Sequence, residues 1–176
     1  GGWVGIYSGA SGVLLVQMPG WIPSQGFGTV LGFAGDLNDD GFDDLIASGG
    51  AGPGENQAGL AISGRNLSVL FPLDADPIRP EIWSAAGGGV DFDGDGVLDL
   101  FVSDRQADVP GELENGRITV FHGGTGARTF EIWGDLASSL GQQAILLEAA
   151  GRSRRPGILA ISSDPLTHRI HGFAFE

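Results

Sequence analysis

Asp36-Leu37-Asn38-Asp39-Asp40-Gly41-Phe42-Asp43-Asp44 runs straight into Leu45-Ile46-Ala47-Ser48, and this junction of an acidic loop with a short apolar run decides how the chain is read. The loop pattern, D-x-[DN]-x-D-G-x-x-D, returns at Asp91-Phe92-Asp93-Gly94-Asp95-Gly96-Val97-Leu98-Asp99, again followed by an apolar run, Leu100-Phe101-Val102. Alternate short carboxylate or amide side chains around a Gly turn supply the roughly six to eight hard oxygen ligands that Ca²⁺ takes. The first loop offers the side chains of Asp36, Asn38, Asp40 and Asp44 and the carbonyl of Phe42. The second offers Asp91, Asp93, Asp95 and Asp99 and the carbonyl of Val97. Two Ca²⁺ sites are expected. Carboxylates this dense repel one another unless a cation lies among them.

An EF-hand begins in the same way but needs a bidentate Glu at its twelfth position and flanking helices. Ala47 and Val102 stand at that position here, and the fourth acidic ligand comes earlier, at Asp44 and Asp99. The apolar runs that follow lack helical length, so each loop feeds a strand. A polar Asp/Gly turn is the plainer reading of one such stretch. Two copies with matching ligands inside a matching repeat argue against it.

The repeat step from Asp36 to Asp91, and from Asp44 to Asp99, is 55 residues. The same step carries Ile6-Tyr7-Ser8-Gly9 onto Ala61-Ile62-Ser63-Gly64, and a slightly longer one carries that onto Val120-Phe121-His122-Gly123. A fourth copy is His168-Arg169-Ile170-His171-Gly172. Each full repeat reads as four strands: Phe27 to Ala34, Asp44 to Ser48, Gly59 to Ile62 and Leu67 to Phe71, with Trp3 to Tyr7 and Arg117 to Phe121 as further copies of the third. Four strands in about 40 to 55 residues is the pattern of a propeller blade. The chain is therefore expected to be all-β, with blades of four antiparallel strands amounting to about three blade equivalents, open or part of a larger ring. Residues 1–25 would end a preceding blade, 26–80 and 81–135 would be blades with calcium loops, and 136–176 a partial blade. Only Leu136 to Ala150 offers any helical alternative, and Gly141 interrupts it. In the partial blade the loop is degenerate, with Ala149 and Ser153 at acidic positions and Arg152, Arg154 and Arg155 around them, so no ion is expected there.

Composition agrees with this class. The chain has 176 residues, 41% hydrophobic, 32 Gly and no Cys. That is enough apolar content for a core, many turns, and no disulfide or thiolate metal site. The net charge of −13 argues against nucleic acid or an anionic membrane as a partner. Nine of its acidic residues lie in the two loops, and two Ca²⁺ would offset four of the thirteen negative charges. No apolar run has membrane-spanning length. Opening on Gly1-Gly2, the chain reads as a mature or excised segment. Calcium sites of this kind fit an extracellular or cell-surface module, where free calcium is high.

These residues resemble the FG-GAP repeat, the calcium-binding blade of integrin α-subunit propellers and of many bacterial secreted proteins. The matching elements are Phe27-Gly28, Ala34 to Leu45, and the Gly-bounded strand Gly116-Arg117-Ile118-Thr119-Val120-Phe121-His122-Gly123. The repeats depart from the pattern at Ile82-Trp83 and Leu140-Gly141 in place of Phe-Gly, and at Gly49-Gly50-Ala51 and Asp104-Arg105-Gln106 in place of Gly-Ala-Pro. The resemblance implies a propeller of about seven blades, more than this chain holds. It would then belong to a longer propeller, share a ring with other chains, or pair its open ends with another copy.

The remaining residues point less sharply. His168 and His171 fall on opposite faces of a strand, which disfavours zinc. His122 occupies a strand-end position held elsewhere by Ser8 and Ser63 and reads as a turn residue. Asn66-Leu67-Ser68 is a glycosylation sequon. Trp83 and Trp133 read as packing residues, with Trp3, Trp21, Trp83 and Trp133 as the aromatic platforms that glycan binding would need. No Ser has a His and Asp partner at motif spacing, so no enzyme activity is expected. The function that follows is a calcium-stabilised adhesion or self-assembly module with protein partners. A carbohydrate-binding propeller, or the non-catalytic propeller of a polysaccharide-degrading enzyme, is the alternative.

Overall fold

The computed structural model describes residues 2–20, 26–49, 57–74, 84–109, 115–135, 138–150, 155–163 and 168–174. Among these residues the protein is all-β, with four antiparallel sheets and no helix. The first sheet is the hairpin β1 (Trp3–Tyr7) and β2 (Leu14–Pro19). The second is a meander of β3 (Leu31–Gly35), β4 (Asp44–Ser48), β5 (Gln57–Ile62) and β6 (Val69–Asp74). The third repeats that order with β7 (Ala85–Val90), β8 (Asp99–Asp104), β9 (Arg117–Phe121) and β10 (Arg128–Trp133). The fourth has β11 (Gln143–Ala150), β12 (Arg155–Ser163) and β13 (His168–Ala174). Trp21, Ile82, Trp83, Gly50, Ala51 and residues 151–154 of the degenerate loop lie outside the described residues.

The repeat is visible in backbone geometry. Three hairpins turn in the same way: Ser8 N–H donates to Val13 O, Ser63 N–H to Ser68 O and His122 N–H to Ala127 O, at 2.8, 2.8 and 2.9 Å. In each, the residue four further on returns a bond to the first residue's carbonyl and has a left-handed φ: Gly12 at +70°, Leu67 at +60° and Gly126 at +70°. Leu67 adopts a conformation that disfavours side chains, so the turn geometry is imposed by the strands around it. It also delays β6 to Val69, two residues later than the apolar pattern suggests. Phe27 to Val30 likewise stays outside β3, because Gly26 and Gly28 have φ of +60° and +80° and Phe27 is buried at the sheet boundary. Leu136 to Ala150 gives a strand from Gln143 onward and no helix among its described residues.

The sheets stack face to face, and alternation along the inner strands of the second and third sheets divides their side chains between two cores. Val4, Phe27, Ala47, Leu60, Ile62 and Leu67 form the core between the first and second sheets. Ala34, Ile46, Ala61, Leu73, Leu100, Val102 and Phe121 lie between the second and third. Phe101, Ile118, Val120, Leu140, Ala144, Ile158 and Ala160 lie between the third and fourth. Strands β8 and β9 are buried on both faces, which explains their unbroken apolar reading. Each fully buried Phe, Leu or Ile here is worth about 1.5–3 kcal/mol of transfer free energy.

Glycines set how closely the sheets approach. β7 packs beside β3, and β11 beside β7. A Cβ on Gly32 would sit 2.5 Å from Ala86 O, and one on Gly35 would sit 2.8 Å from Gly89 Cα. The Gly-rich reading of β7, Ala-Ala-Gly-Gly-Gly-Val, is thus a packing requirement of the strand that touches both neighbours. A second device repeats at the start of the third strands: a Cβ on Gly2 would run into the backbone of Phe27, and one on Gly116 into that of Leu140. Gly116, with φ at +75°, also bridges to Leu140. Gly116→Ala is therefore expected to lower stability by about 1–3 kcal/mol. Gly9→Ala, where a Cβ meets nothing within 4 Å, should stay within about 0.5 kcal/mol of the parent. Paired urea melts measure both.

Candidate metal centres

Both acidic loops connect the first and second strands of a four-stranded sheet, Asp36 to Asp43 between β3 and β4, and Asp91 to Leu98 between β7 and β8. Their backbones match: Asp39 and Gly41 have φ of +56° and +85°, and the equivalent Gly94 and Gly96 have +86° and +90°. Asp is one of the few side chains that tolerates this region. The ladder is interrupted by a bulge just before each loop, between Phe33 and Gly35 and between Gly88 and Val90.

The first aspartate of each loop faces inward and collects backbone N–H groups. Asp36 Oδ1 accepts from Asp40 at 3.0 Å and Oδ2 from Gly41 at 2.8 Å. Asp91 Oδ1 accepts from Gly94 and Asp95, at 2.6 and 3.2 Å, and Oδ2 accepts from Gly96 at 2.9 Å. The middle ligands follow the same i to i+2 habit: Asn38 binds Asp40 N–H, Asp40 binds Phe42 N–H, Asp93 binds Asp95 N–H and Asp95 binds Val97 N–H. Asp40, Asp93 and Asp95 each use one carboxylate oxygen in that bond and keep the other for a further partner, whereas Asn38 uses its single amide oxygen.

The last aspartate closes the loop. Asp44 and Asp99 are fully buried. Asp44 Oδ2 accepts from Leu37 N–H at 2.8 Å and Oδ1 from Gly64 N–H at 3.1 Å. Asp99 Oδ2 accepts from Phe92 N–H at 2.9 Å and Oδ1 from Gly123 N–H at 3.3 Å. Each therefore ties the loop start to the turn after the third strand, and no side chain fits at that turn: a Cβ on Gly64 or Gly123 would meet the carbonyl of Asp43 or Leu98.

Among the described residues, Asp91, Asp93 and Asp99 bring one ligand oxygen each within 4.8 Å of the others. The first loop has Asn38 at the position of Asp93, so its matching set is carboxylate, amide, carboxylate. Asp95 lies outside the triad, and its Oδ2 is 2.8 Å from His122 Nε2. His122 is thus more than the turn residue its spacing suggests. It braces the second loop from the β9–β10 hairpin, as Arg65, stacked 5.6 Å over Phe42, braces the first from the β5–β6 hairpin. The carbonyls of Phe42 and Val97 lie at the loop exits, and their N–H groups are used as described. Most of these carboxylate oxygens accept a single hydrogen bond and so retain acceptor capacity, and such a close set of carboxylates suits a hard divalent cation.

Electrostatics point the same way. Burial, helped by the charges of Asp40 and Asp36, pushes Asp44 above the usual carboxylate range against two backbone hydrogen bonds. Burial does the same to Asp99, helped by Asp93 and Asp95. Asp91 meets a desolvation penalty too, but bonds from Gly96, Gly94, Asp95 and Asp93 outweigh it and lower its pKa. A carboxyl with a raised folded pKa stabilises the fold fully below its unfolded value of about 3.9, and that contribution disappears as pH rises through the raised value. Asp91 acts oppositely, stabilising above that value and losing its effect as pH falls through its lowered one. A bound cation favours the ionised form throughout. The melting-temperature gap between calcium-loaded and calcium-depleted protein should accordingly widen from about pH 4 to about pH 7. Parallel calorimetric scans across that range check it, and a gap independent of pH would contradict it.

Trp133 departs from its reading as a packing residue. It is 37% exposed on β10, with the Arg117 guanidinium 5.1 Å from its ring and Glu131 bonded to Arg117 and Arg128 on the same face. Trp3 is also about half exposed, in ring contact with Tyr7 at 6.3 Å. In the fourth sheet the β11–β12 ladder continues to Ala150 and Arg155, past Gly157 at the position of Asp44 and Asp99. No protein-family model matches the chain, so the functional reading rests on these residues.

Proposed function

We propose that the protein is a calcium-stabilised, non-catalytic module of propeller type, akin to the FG-GAP repeat, that works outside the cell in adhesion or assembly. The observation that carries the reading is the pair of equivalent loops, each closed by a buried aspartate, the second of which brings oxygens of Asp91, Asp93 and Asp99 within 4.8 Å of one another. A divalent cation there neutralises carboxylates whose crowding otherwise opposes folding. Asp36, Asn38, Asp40 and Asp44 would hold one Ca²⁺, with Phe42 O, and Asp91, Asp93, Asp95 and Asp99 the other, with Val97 O. The ion's role is structural, since binding that requires the fold adds to folding free energy.

In this reading each four-stranded meander is a blade, with its first strand innermost. The side-by-side packing of β3, β7 and β11 supports that orientation. Strong negative charge favours protein partners over nucleic acid or anionic lipid.

Calcium at a hundredfold excess over Kd should add about 2.7 kcal/mol per site, a rise of roughly 5–10 °C in Tm for a domain of this size. Asp40→Ala and Asp95→Ala should each remove part of that rise, and together nearly all of it. Scanning calorimetry with calcium or with EDTA decides, and an unchanged melt in EDTA would exclude the reading. The half-exposed Trp133 beside Arg117 and Glu131 favours one second reading, a glycan-binding surface. Binding on a glycan array that disappears in Trp133→Ala would establish it.

A further inference from the structure

We infer that a second copy of this chain completes the first sheet by strand exchange, its β11 and β12 lying inside β1, and that the reciprocal exchange closes a dimer. The inference rests on the propeller reading above. The hairpin turns identify β1 and β2 with the third and fourth strands of the other sheets, because Ser8, Ser63 and His122 occupy the same turn position. Among the described residues β1 pairs only with β2, so its inner edge presents free backbone groups.

The surface beside that edge is apolar. Leu31 and Phe33 on β3 are 55% and 54% exposed, although they lie opposite Ala47 and Leu45 and so share the face of the core between the first and second sheets. The same repeat positions are Ala86 and Gly88 in β7, and Ala144 and Leu146 in β11, and there the inner strand of the preceding sheet packs alongside. The exposed pair therefore continues an interface the molecule already makes twice.

The fourth sheet supplies what that surface lacks. Its inner face packs on the third sheet through Ala144, Leu146, Ile158 and Ala160. Ile145, 56% exposed, shares the outward face with Leu159 and Ile161. Placed inside β1, this face meets Leu31 and Phe33 at the ordinary face-to-face spacing of about 10 Å. β13 stands in the way: it pairs with β12 from Gly157–Ala174 to Ser163–His168, and the exchange replaces that ladder with one to β1, while Ile170, 72% exposed, gives up little buried area of its own.

Register agrees. Leu45 pairs with Ile62 and Leu100 with Phe121, and the equivalent pair across the exchange is Ile158 with Tyr7. Leu159 then faces Ile6, and Ile161 faces Val4, which puts both pairs on the core side where Val4 and Ile6 already lie. Trp3 and Tyr7, now half exposed, come under the partner's third sheet. One contact thus covers the exposed apolar groups at both ends of the stack. Each chain then carries two whole sheets and half of two shared ones, so two chains hold six, within the roughly four to eight blades of closed propellers. A head-to-tail contact of this kind closes on itself at two copies.

The chain has no Cys, so a crosslink is clean. Ile6→Cys with Leu159→Cys in one chain places the two thiols opposite each other across the exchange, with Cβ atoms about 5 Å apart. Oxidation should give a covalent dimer, and light scattering of the unmodified protein should give twice its 18.1 kDa. As a second arm, Phe33→Asp and Ile145→Asp should each be monomeric alone and associate when mixed, because one of the two contacts then sets an intact Ile145 against an intact Phe33 while the other carries both substitutions. A monomer at the highest soluble concentration assigns that face to another partner and overturns the exchange. So does a crosslink within one chain, an open-ended ladder, or a mixture that stays monomeric. A monomer whose melt still responds to calcium leaves the metal reading standing.

Discussion

Asp44 and Asp99 are the contacts on which the rest depends. Each is a buried carboxylate at the first residue of a second strand, and each spends both oxygens on backbone N–H groups from two other places, the loop start and the turn after the third strand. Removing either would leave two N–H groups to find new partners and would free the loop from the sheet edge. The same carboxylates resist ionisation because they are buried among neighbouring aspartates. In the proposed reading a cation would resolve that conflict by making the charged form the favoured one. Loop closure and sheet geometry are therefore one problem at these two positions, and the proposed metal affinity would join them there.

The sheets that surround the loops are held by a different rule. The inner strands of the second and third sheets divide their side chains between two cores, so each of these sheets relies on both of its neighbours. Gly32, Gly35 and the Gly run of β7 let the first strands approach closely, and Gly2 and Gly116 accept the backbone of the next sheet. The loops lie at one end of this stack, tied through Gly64 and Gly123 to the third strands. An ion held there, as proposed, would stiffen two of the connections that hold successive strands in register.

Much of this was legible in the sequence. Loop spacing located β4 at its first residue, Asp44, and β8 within one residue of its start, through the run Leu100-Phe101-Val102, since an acidic loop that ends in apolar residues leaves few other places for a strand to begin. The 55-residue step, and the slightly longer one after it, found the third strands, and the structure marks the same positions in hydrogen bonds at Ser8, Ser63 and His122. What stayed hidden depends on contacts across distance. His122 reaches Asp95 over 27 residues, and no local pattern marks that pairing. Leu67 in a left-handed conformation erased the expected start of β6, because turn geometry overrode β propensity. Trp133 looked like a core aromatic, yet it lies on the polar side of its strand, opposite Arg117.

The claim that both loops are built for a hard cation is tested most directly by counting ions. Equilibrium dialysis against radioactive calcium at neutral pH should give two ions per chain in the parent protein and one in Asp36→Ala or Asp91→Ala. A protein that binds no calcium at millimolar levels, or that keeps its full complement in both variants, would contradict the account.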